Sequence, residues 1–207
     1  ASEVFGVLGA KAAVKRKDGS RLRKGELVMD VSGSARSLLA GERLALNFLM
    51  RMSGIATVTR DLVDTCREVS PDVRVAATRK TVPGFREFEK KAVVLGGGDP
   101  HRFGLDDAIL IKDNHIRVAG GVPEALKRAR RSSFTKKTEI EVEGERDAFA
   151  ALEAGADIIM LDNFGPGEAR ALYRSLKERR PGVIVEVSGG ITPDNIREYA
   201  DAADVIS

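Results

Sequence analysis

Apolar and polar positions change rhythm repeatedly from residue 73 to the end of the chain. "VRVAATRK" (73–80) is apolar and ends in charge, and "REFEKKAVVLGGG" (86–98) has helical spacing closed by glycine. "AILIKDNH" (108–115) is the next strand-like run and "VPEALKRARRS" (122–132) the next helical one. "KTEIEVE" (137–143) alternates strictly, and "ERDAFAALEAG" (145–155) returns to helical spacing before another glycine. The same alternation continues through "DIIMLDN" (157–163), "GPGEARALYRSLKERR" (165–180), "VIVEVSGG" (183–190), "TPDNIREYADA" (192–202) and the strand-like start "DVIS" (204–207). Strands alternating with glycine-stopped helices predict βαβ units around a parallel sheet.

Composition narrows the class without naming an activity. The chain has 207 residues, 43% hydrophobic and 31% charged, which is enough to bury a sizeable core in one domain or in one domain plus a smaller partner. No apolar run approaches the roughly 20 residues of a membrane helix, and the opening residues do not read as a signal peptide, so none is expected. Lys and Arg total 34 against 31 Asp and Glu, a net of +3, too small an excess to point to nucleic acid. Cys66 is the only cysteine, so no disulfide forms within the chain and a reducing, cytoplasmic setting is expected. It lies in the helical pattern "RDLVDTCREV" (60–69) and reads as a partly packed residue. The chain starts at Ala1 and stops where an apolar run has barely begun, so further segments are expected at both ends.

Charged groups collect at one end of the predicted strands. Arg79 and Lys80 close the first, Lys112 the second, Glu141 and Glu143 the third, Asp162 the fourth, and Ser188, Gly189 and Gly190 the fifth. The spacing is about one βα unit each time, so a closed parallel barrel would gather them at its C-terminal mouth. Two strands then deliver cations, two deliver carboxylates, and the last delivers a hydroxyl and glycines. Such a mouth suits an anionic substrate that carries a divalent metal, since Arg and Lys pair with carboxylates and phosphates and magnesium takes one or two carboxylates plus phosphate oxygens. Ser-Gly-Gly just before a helix expected at Thr192 offers backbone N–H groups to a phosphate.

Each feature has a plainer reading. Arg79 and Lys80 alone are solvated strand-end charges, and alternation alone turns Glu139, Glu141 and Glu143 toward water. In a barrel, helices cover the outer face, so these acids would point inward and repel unless cations compensate. Gly96–Gly98 reads as a helix exit, and His101 and His115 as satisfied polar residues. The joint arrangement at regular spacing is what favours function.

Six blocks together carry a resemblance: "ERLALNFLMRMSGIAT" (42–57), "TRKTVPG" (78–84), "KKAVVLGGGDPHRFGLDDAILIKDNH" (90–115), "EIEVE" (139–143), "IIMLDN" (158–163) and "VSGGIT" (187–192). In order and over essentially the whole chain, they resemble the quinolinate phosphoribosyltransferases. The resemblance implies transfer of the phosphoribosyl group of PRPP to the ring nitrogen of quinolinate. Pyrophosphate leaves in that transfer, and loss of carbon dioxide then gives nicotinate mononucleotide, with Mg²⁺ required, in NAD biosynthesis. It implies a fragmentary parallel α/β barrel (73–207, with C-terminal strands missing). An N-terminal α/β sandwich domain would be represented by residues 1–41 as strands and turns, and helices at 42–72 would connect the two. It also implies a homodimer in which Arg43 reaches the neighbouring subunit's site.

Residue by residue, Arg79, Arg102 and Lys112 are expected around the quinolinate carboxylates with His101 close by, Lys80 and Lys112 on the pyrophosphate of PRPP, and Thr78 among the substrate-binding residues. Glu141 and Asp162 fall near the ribose hydroxyls and metal, and Ser188, Gly189 and Gly190 at the 5′-phosphate. Lys80, Lys112, Glu141 and Asp162 are the catalytic set. The family's acid before "TRKT" is replaced by Ala76 and Ala77, and the family's glycine-rich segment that completes the phosphate site lies beyond Ser207. Other readings are a nicotinate phosphoribosyltransferase, a molybdenum-associated homologue sharing "TRK" and "HR", a Schiff-base aldolase using Lys112, and an anion-binding barrel without turnover. The dicarboxylate-sized cation set argues against the first of these, and the acids Glu141 and Asp162 against the last.

Overall fold

The structure, a computed structural model, describes all 207 residues. Its main feature is a six-stranded, all-parallel sheet. Numbered in chain order, the elements are α1 (Ser2–Val7), β1 (Lys11–Val14), β2 (Met29–Ser32), α2 (Ala35–Arg67), β3 (Arg74–Val75), α3 (Arg86–Gly96), β4 (Ile109–Ile111), α4 (Asp113–Ala119) and α5 (Val122–Ser132). They continue with β5 (Thr138–Val142), α6 (Glu145–Glu153), β6 (Ile158–Asp162), α7 (Pro166–Arg179), β7 (Ile184–Ser188), α8 (Ile196–Tyr199) and β8 (Val205–Ile206).

Strand order is β3-β8-β7-β6-β5-β4, so the sheet's last strand in the chain pairs with its first. Ala76, just past β3, makes a further parallel bridge to Asp99. The ring is therefore interrupted between Asp99 and β4. The interruption has a local cause: Pro100 has no N–H to give a ladder, and His101 takes a positive φ of 51°. This is the fragmentary barrel that the resemblance implies, built on the parallel sheet that the alternation predicts.

The alternation of side chains sorts the two faces. Ile111, Ile140, Val142, Ile159, Leu161, Val185 and Val187 are buried in one apolar cluster with Ala125, Leu126, Ala148, Leu152, Leu172 and Leu176 from the covering helices. Their strand neighbours, two residues apart, face the ring interior: Glu139 and Glu141, Asp162, and Glu186 and Ser188. Helix amphipathicity thus supplies the outer half of the core. The inner half is polar, and the site is built there.

Several elements depart from expectation. The chain opens with a helix, α1, whose Phe5 packs on the small residues Gly41 and Ala45 of α2; only β1 and β2 are strands there, paired antiparallel. One 33-residue helix, α2, runs through the junction between 41 and 42 and takes up most of the connecting region. Ser34 caps it, accepting a bond from the Ser37 N–H at 3.1 Å. Cys66 is completely buried in the core rather than partly packed. The "AILIKDNH" strand ends at Ile111, and Asp113 already begins the unpredicted helix α4. His115 explains that helix start: its Nδ1 accepts the Lys112 N–H at 2.9 Å, the satisfied polar role of the plainer reading.

Candidate active site

The mouth of the ring collects the charged residues because each ends, or directly follows, a parallel strand. Lys112 stands between β4 and α4, and its Nζ meets Glu141 Oε2 of β5 at 2.9 Å. Asp162 closes β6 in register with Ser188 of β7. Burial pushes the Asp162 carboxyl up from its ordinary value, and the charges of Glu141 and Glu143 push the same way; Lys112 and Lys80 oppose them. Lys80, Lys112, Glu141 and Asp162 therefore share one electrostatic neighbourhood. Asn163, at a positive φ of 61°, donates from Nδ2 to Asp162 Oδ2 at 2.8 Å and from its backbone to the Ser188 carbonyl at 2.9 Å.

Ser188, Gly189 and Gly190 form the turn after β7. The backbone N–H groups of Gly189, Gly190 and Ile191 find no acceptor in the chain. Gly189 has φ 92° and Gly190 φ 67°, and a Cβ at Gly189 would run into the Asn163 side chain, so only glycine fits there. The helix expected at Thr192 begins only at Ile196 and is four residues long. Thr192 N–H instead donates to Asn195 Oδ1 at 2.7 Å. Free N–H groups of the turn, rather than a helix dipole, are what this corner offers an anion.

Thr78, Arg79 and Lys80 lie beyond β3 in a braced loop rather than in a strand. Thr78 Oγ1 accepts the Lys80 N–H at 3.2 Å, and Arg86 Nη2 donates to the Arg79 carbonyl at 3.4 Å. Lys90 of α3, wholly buried, ties this loop to the next one: its Nζ donates to the Ala77 carbonyl at 2.9 Å and to the Pro100 carbonyl. Burial pushes its ammonium down from the ordinary lysine value, with the charge of Arg86 adding to the effect. Arg79 Nε is buried without any acceptor, a guanidinium lacking its anion.

His101 and Arg102 follow Pro100 and are half-buried. Asp99 Oδ1 accepts the His101 N–H at 2.7 Å. The His101 ring points into the barrel, with Nε2 at 3.1 Å from Glu186 Oε2 and 3.8 Å from Glu139 Oε2. Its bond to Glu186 raises the imidazole above the ordinary histidine value against the effect of burial. Burial, then the charge of Glu186, pushes Glu139 up to about 7. Arg43 alone stands apart: it is exposed on α2, with no hydrogen bond or ion pair inside the chain.

Two acidic groupings could hold a cation. Glu141 and Asp162 at the rim are partly exposed hard oxygen donors whose mutual repulsion a divalent ion would relieve; this donor set fits Mg²⁺. The deeper trio of His101, Glu139 and Glu186 brings one ligand atom from each within 4.8 Å of the others, but an imidazole is a poor magnesium ligand.

A family model described as the quinolinate phosphoribosyl transferase N-terminal domain matches residues 1–53, and its C-terminal counterpart matches residues 55–207. The chain belongs to the quinolinate phosphoribosyl transferase family. Among relatives, a probable nicotinate-nucleotide pyrophosphorylase (carboxylating) from Archaeoglobus fulgidus is 55% identical over 195 residues, covering 93% of this chain and 75% of that protein. The human nicotinate-nucleotide pyrophosphorylase (carboxylating) is 43% identical over 206 residues, covering 99% of this chain and 69% of its own length. The solved structure of NadC from Streptococcus pyogenes superposes with a TM-score of 0.91 at 41% identity, over 99% of this chain and 72% of that one.

In this member of the quinolinate phosphoribosyl transferase family, three buried residues beside the site escaped the sequence reading: Lys90, Glu139 as a floor residue, and Glu186. Each had a faint signal. Glu186 is a carboxylate between Val185 and Val187, and Lys90 sits on the apolar stripe of α3 with Val93. Only the ring's closure shows that Glu139 and Glu186 meet.

Proposed function

We infer that the chain transfers the phosphoribosyl group of PRPP to the ring nitrogen of quinolinate, with loss of carbon dioxide and pyrophosphate, to give nicotinate mononucleotide. The observation that carries this reading is the convergence on one mouth of a cation set, Arg79, Lys80, His101, Arg102 and Lys112, with the acid pair Glu141 and Asp162. The buried, unpartnered Nε of Arg79 favours a carboxylate guest, which its fork can hold with two parallel bonds. The turn of Ser188, Gly189 and Gly190 offers its free N–H groups to the 5′-phosphate.

In this reading the residues act by position and charge. Lys80 and Lys112 neutralise the departing pyrophosphate. Glu141 and Asp162 face the sugar, whose anomeric carbon gathers positive charge as the bond breaks. The quinolinate nitrogen bears no proton when neutral, so it attacks without a general base, and holding the two reactants in line provides much of the acceleration. The ribosylated nitrogen is cationic, and that charge stabilises the electron pair left on the ring carbon when the adjacent carboxylate departs as carbon dioxide; that carbon then takes up a proton from solvent. Glu141 and Asp162 would hold Mg²⁺, which when bound supplies charge neutralisation on the pyrophosphate. Lys112 is ion-paired with Glu141, whereas a Schiff-base lysine must be a free amine, so the aldolase reading lacks support.

The same reading includes a homodimer, with Arg43 serving the neighbouring site, and a cytoplasmic setting. No helix is long and apolar enough to cross a membrane. Exposed Leu39, Leu44, Met50 and Val58 on α2, beside an Arg43 with no partner of its own, support the assembly. The test is direct: protein with PRPP, Mg²⁺ and either quinolinate or nicotinate, followed for nicotinate mononucleotide. Product from quinolinate is expected; product from nicotinate alone would replace the substrate assignment.

A further inference from the structure

The floor of the site is not accounted for by the rim chemistry. Glu139 and Glu186 each lie two residues before a rim residue, Glu141 and Ser188, on the inward face of β5 and β7. Both are buried to within 1%. Glu139 has neither carboxyl oxygen hydrogen-bonded, and Glu186 lacks a partner at Oε1. Buried carboxyl groups with so few donors are costly, and a hydrophobic pair would have packed the ring at no such cost.

What they meet is His101. Its left-handed backbone is uncommon for a residue other than glycine and is held only where surroundings enforce it. Here the Asp99 carboxylate fixes the His101 N–H and the ring is delivered between two strands to Glu186 at 3.1 Å and Glu139 at 3.8 Å. With Nε2 committed to Glu186, Nδ1 is the one ring nitrogen left for a ligand.

We propose that Glu186, with Glu139 behind it, is the positioning residue for His101: the carboxylates hold the ring as an imidazolium, its inner N–H pinned and its outer N–H offered to one carboxylate of the substrate. The service to the substrate rests on the function inferred above; the charge and orientation of His101 do not. Glu186 faces the ring from β7 and Glu139 from β5, and both favour the charged form. Lys90 of α3 opposes them, and Arg102 acts on Glu139 from the adjoining position. The bond to Glu186 is the largest influence, so its loss should matter most.

The chain has only two histidines, so imidazole nitrogen shifts measured by NMR in a His115→Asn background report His101 alone. His101 should be doubly protonated at a pH where an ordinary histidine is half neutral. In Glu186→Gln, which keeps shape and an acceptor but removes the charge, its titration should fall by about one unit, a tenfold change; Glu139→Gln should move it less. Kinetically, Glu186→Gln should raise the KM for quinolinate about tenfold with little change in the KM for PRPP, and adding His101→Asn should cause little further loss. A neutral His101 in the parent protein, or an unmoved titration in Glu186→Gln, overturns the proposal. A stoichiometric divalent ion retained by the purified protein and lost in Glu186→Gln overturns it in favour of a metal centre. A shifted titration with unchanged quinolinate KM upholds the clamp on His101 and overturns its service to the substrate.

Discussion

Lys112 and Glu141 hold each other at 2.9 Å across neighbouring strands, although Lys112 itself is exposed. Only the lysine side of the pair is open to solvent, Glu141 being mostly covered, so the pair adds modest stability and is better understood as a cation and an acid kept at a set distance for a ligand. Lys112→Ala is therefore expected to leave the melting temperature nearly unchanged while lowering kcat by about a hundredfold or more, the scale of losing a charge-stabilising donor. Steady-state assays beside thermal melts check this, and a large melting shift with intact turnover would contradict it. Tyr173 shows the reverse case, a polar residue that serves stability. Its hydroxyl donates to Asp204 Oδ1 at 3.1 Å, and burial, then the Asp204 charge, pushes the phenol up to about 12. The folded state keeps this proton longer than the unfolded chain, so its contribution is whole below the ordinary phenol range and is lost as pH climbs through about 12. In Tyr199→Phe, where Tyr173 is the sole tyrosine, phenolate absorbance should rise only near that pH. An onset at the ordinary value of 10.0 would show the contact is not made.

Among the elements, α3 positions the loops of the site, and it does so by lying close on α2. A Cβ at Gly96 would stand 2.6 Å from the Ala56 carbonyl and 2.7 Å from Thr59 Cβ, both on α2. These are backbone and branched-carbon contacts that cannot swing aside. Gly96→Ala should force the helices apart at a cost of about 1–3 kcal/mol, read as a lower denaturant midpoint with an unchanged slope; an equal or higher midpoint would show that the helices have slack. The triple glycine was legible in the sequence as a helix exit, and the exit is real, with Gly97 at φ 90° closing α3. The close approach of α2 was not legible, because nothing local to residues 96–98 says which helix crosses there. Strand and helix alternation was readable wherever one face is apolar, as in β5 to α7. It failed for α1 and α4, six and seven residues long, and overran α8, read over 192–202 but only four residues long; segments this short do not show a 3.6-residue period and are held by caps and tertiary contacts.

At the scale of the whole molecule, the proposed dimer gives Arg43 a use that the single chain does not. If each subunit lends Arg43 to its neighbour, Arg43→Ala and Lys112→Ala chains are each inactive alone, but a mixed dimer contains one intact site. Co-expression of the two should recover about a quarter of the wild-type sites under random pairing, measured as specific activity beside light scattering; no recovery from a confirmed mixed dimer would place Arg43 outside the neighbouring site. The sequence by itself determined the βα alternation, the end of the strands at which charge collects, and through its motifs the family. These follow from periodicity and from residue types that short stretches display openly. The tertiary structure alone decided that the ring breaks between Asp99 and β4, that Lys90 binds two loops together, and that His101 meets Glu139 and Glu186. Those contacts join residues 10 to 85 positions apart, and no local rhythm encodes which inward-facing acid will find which cation until the strands have closed around them.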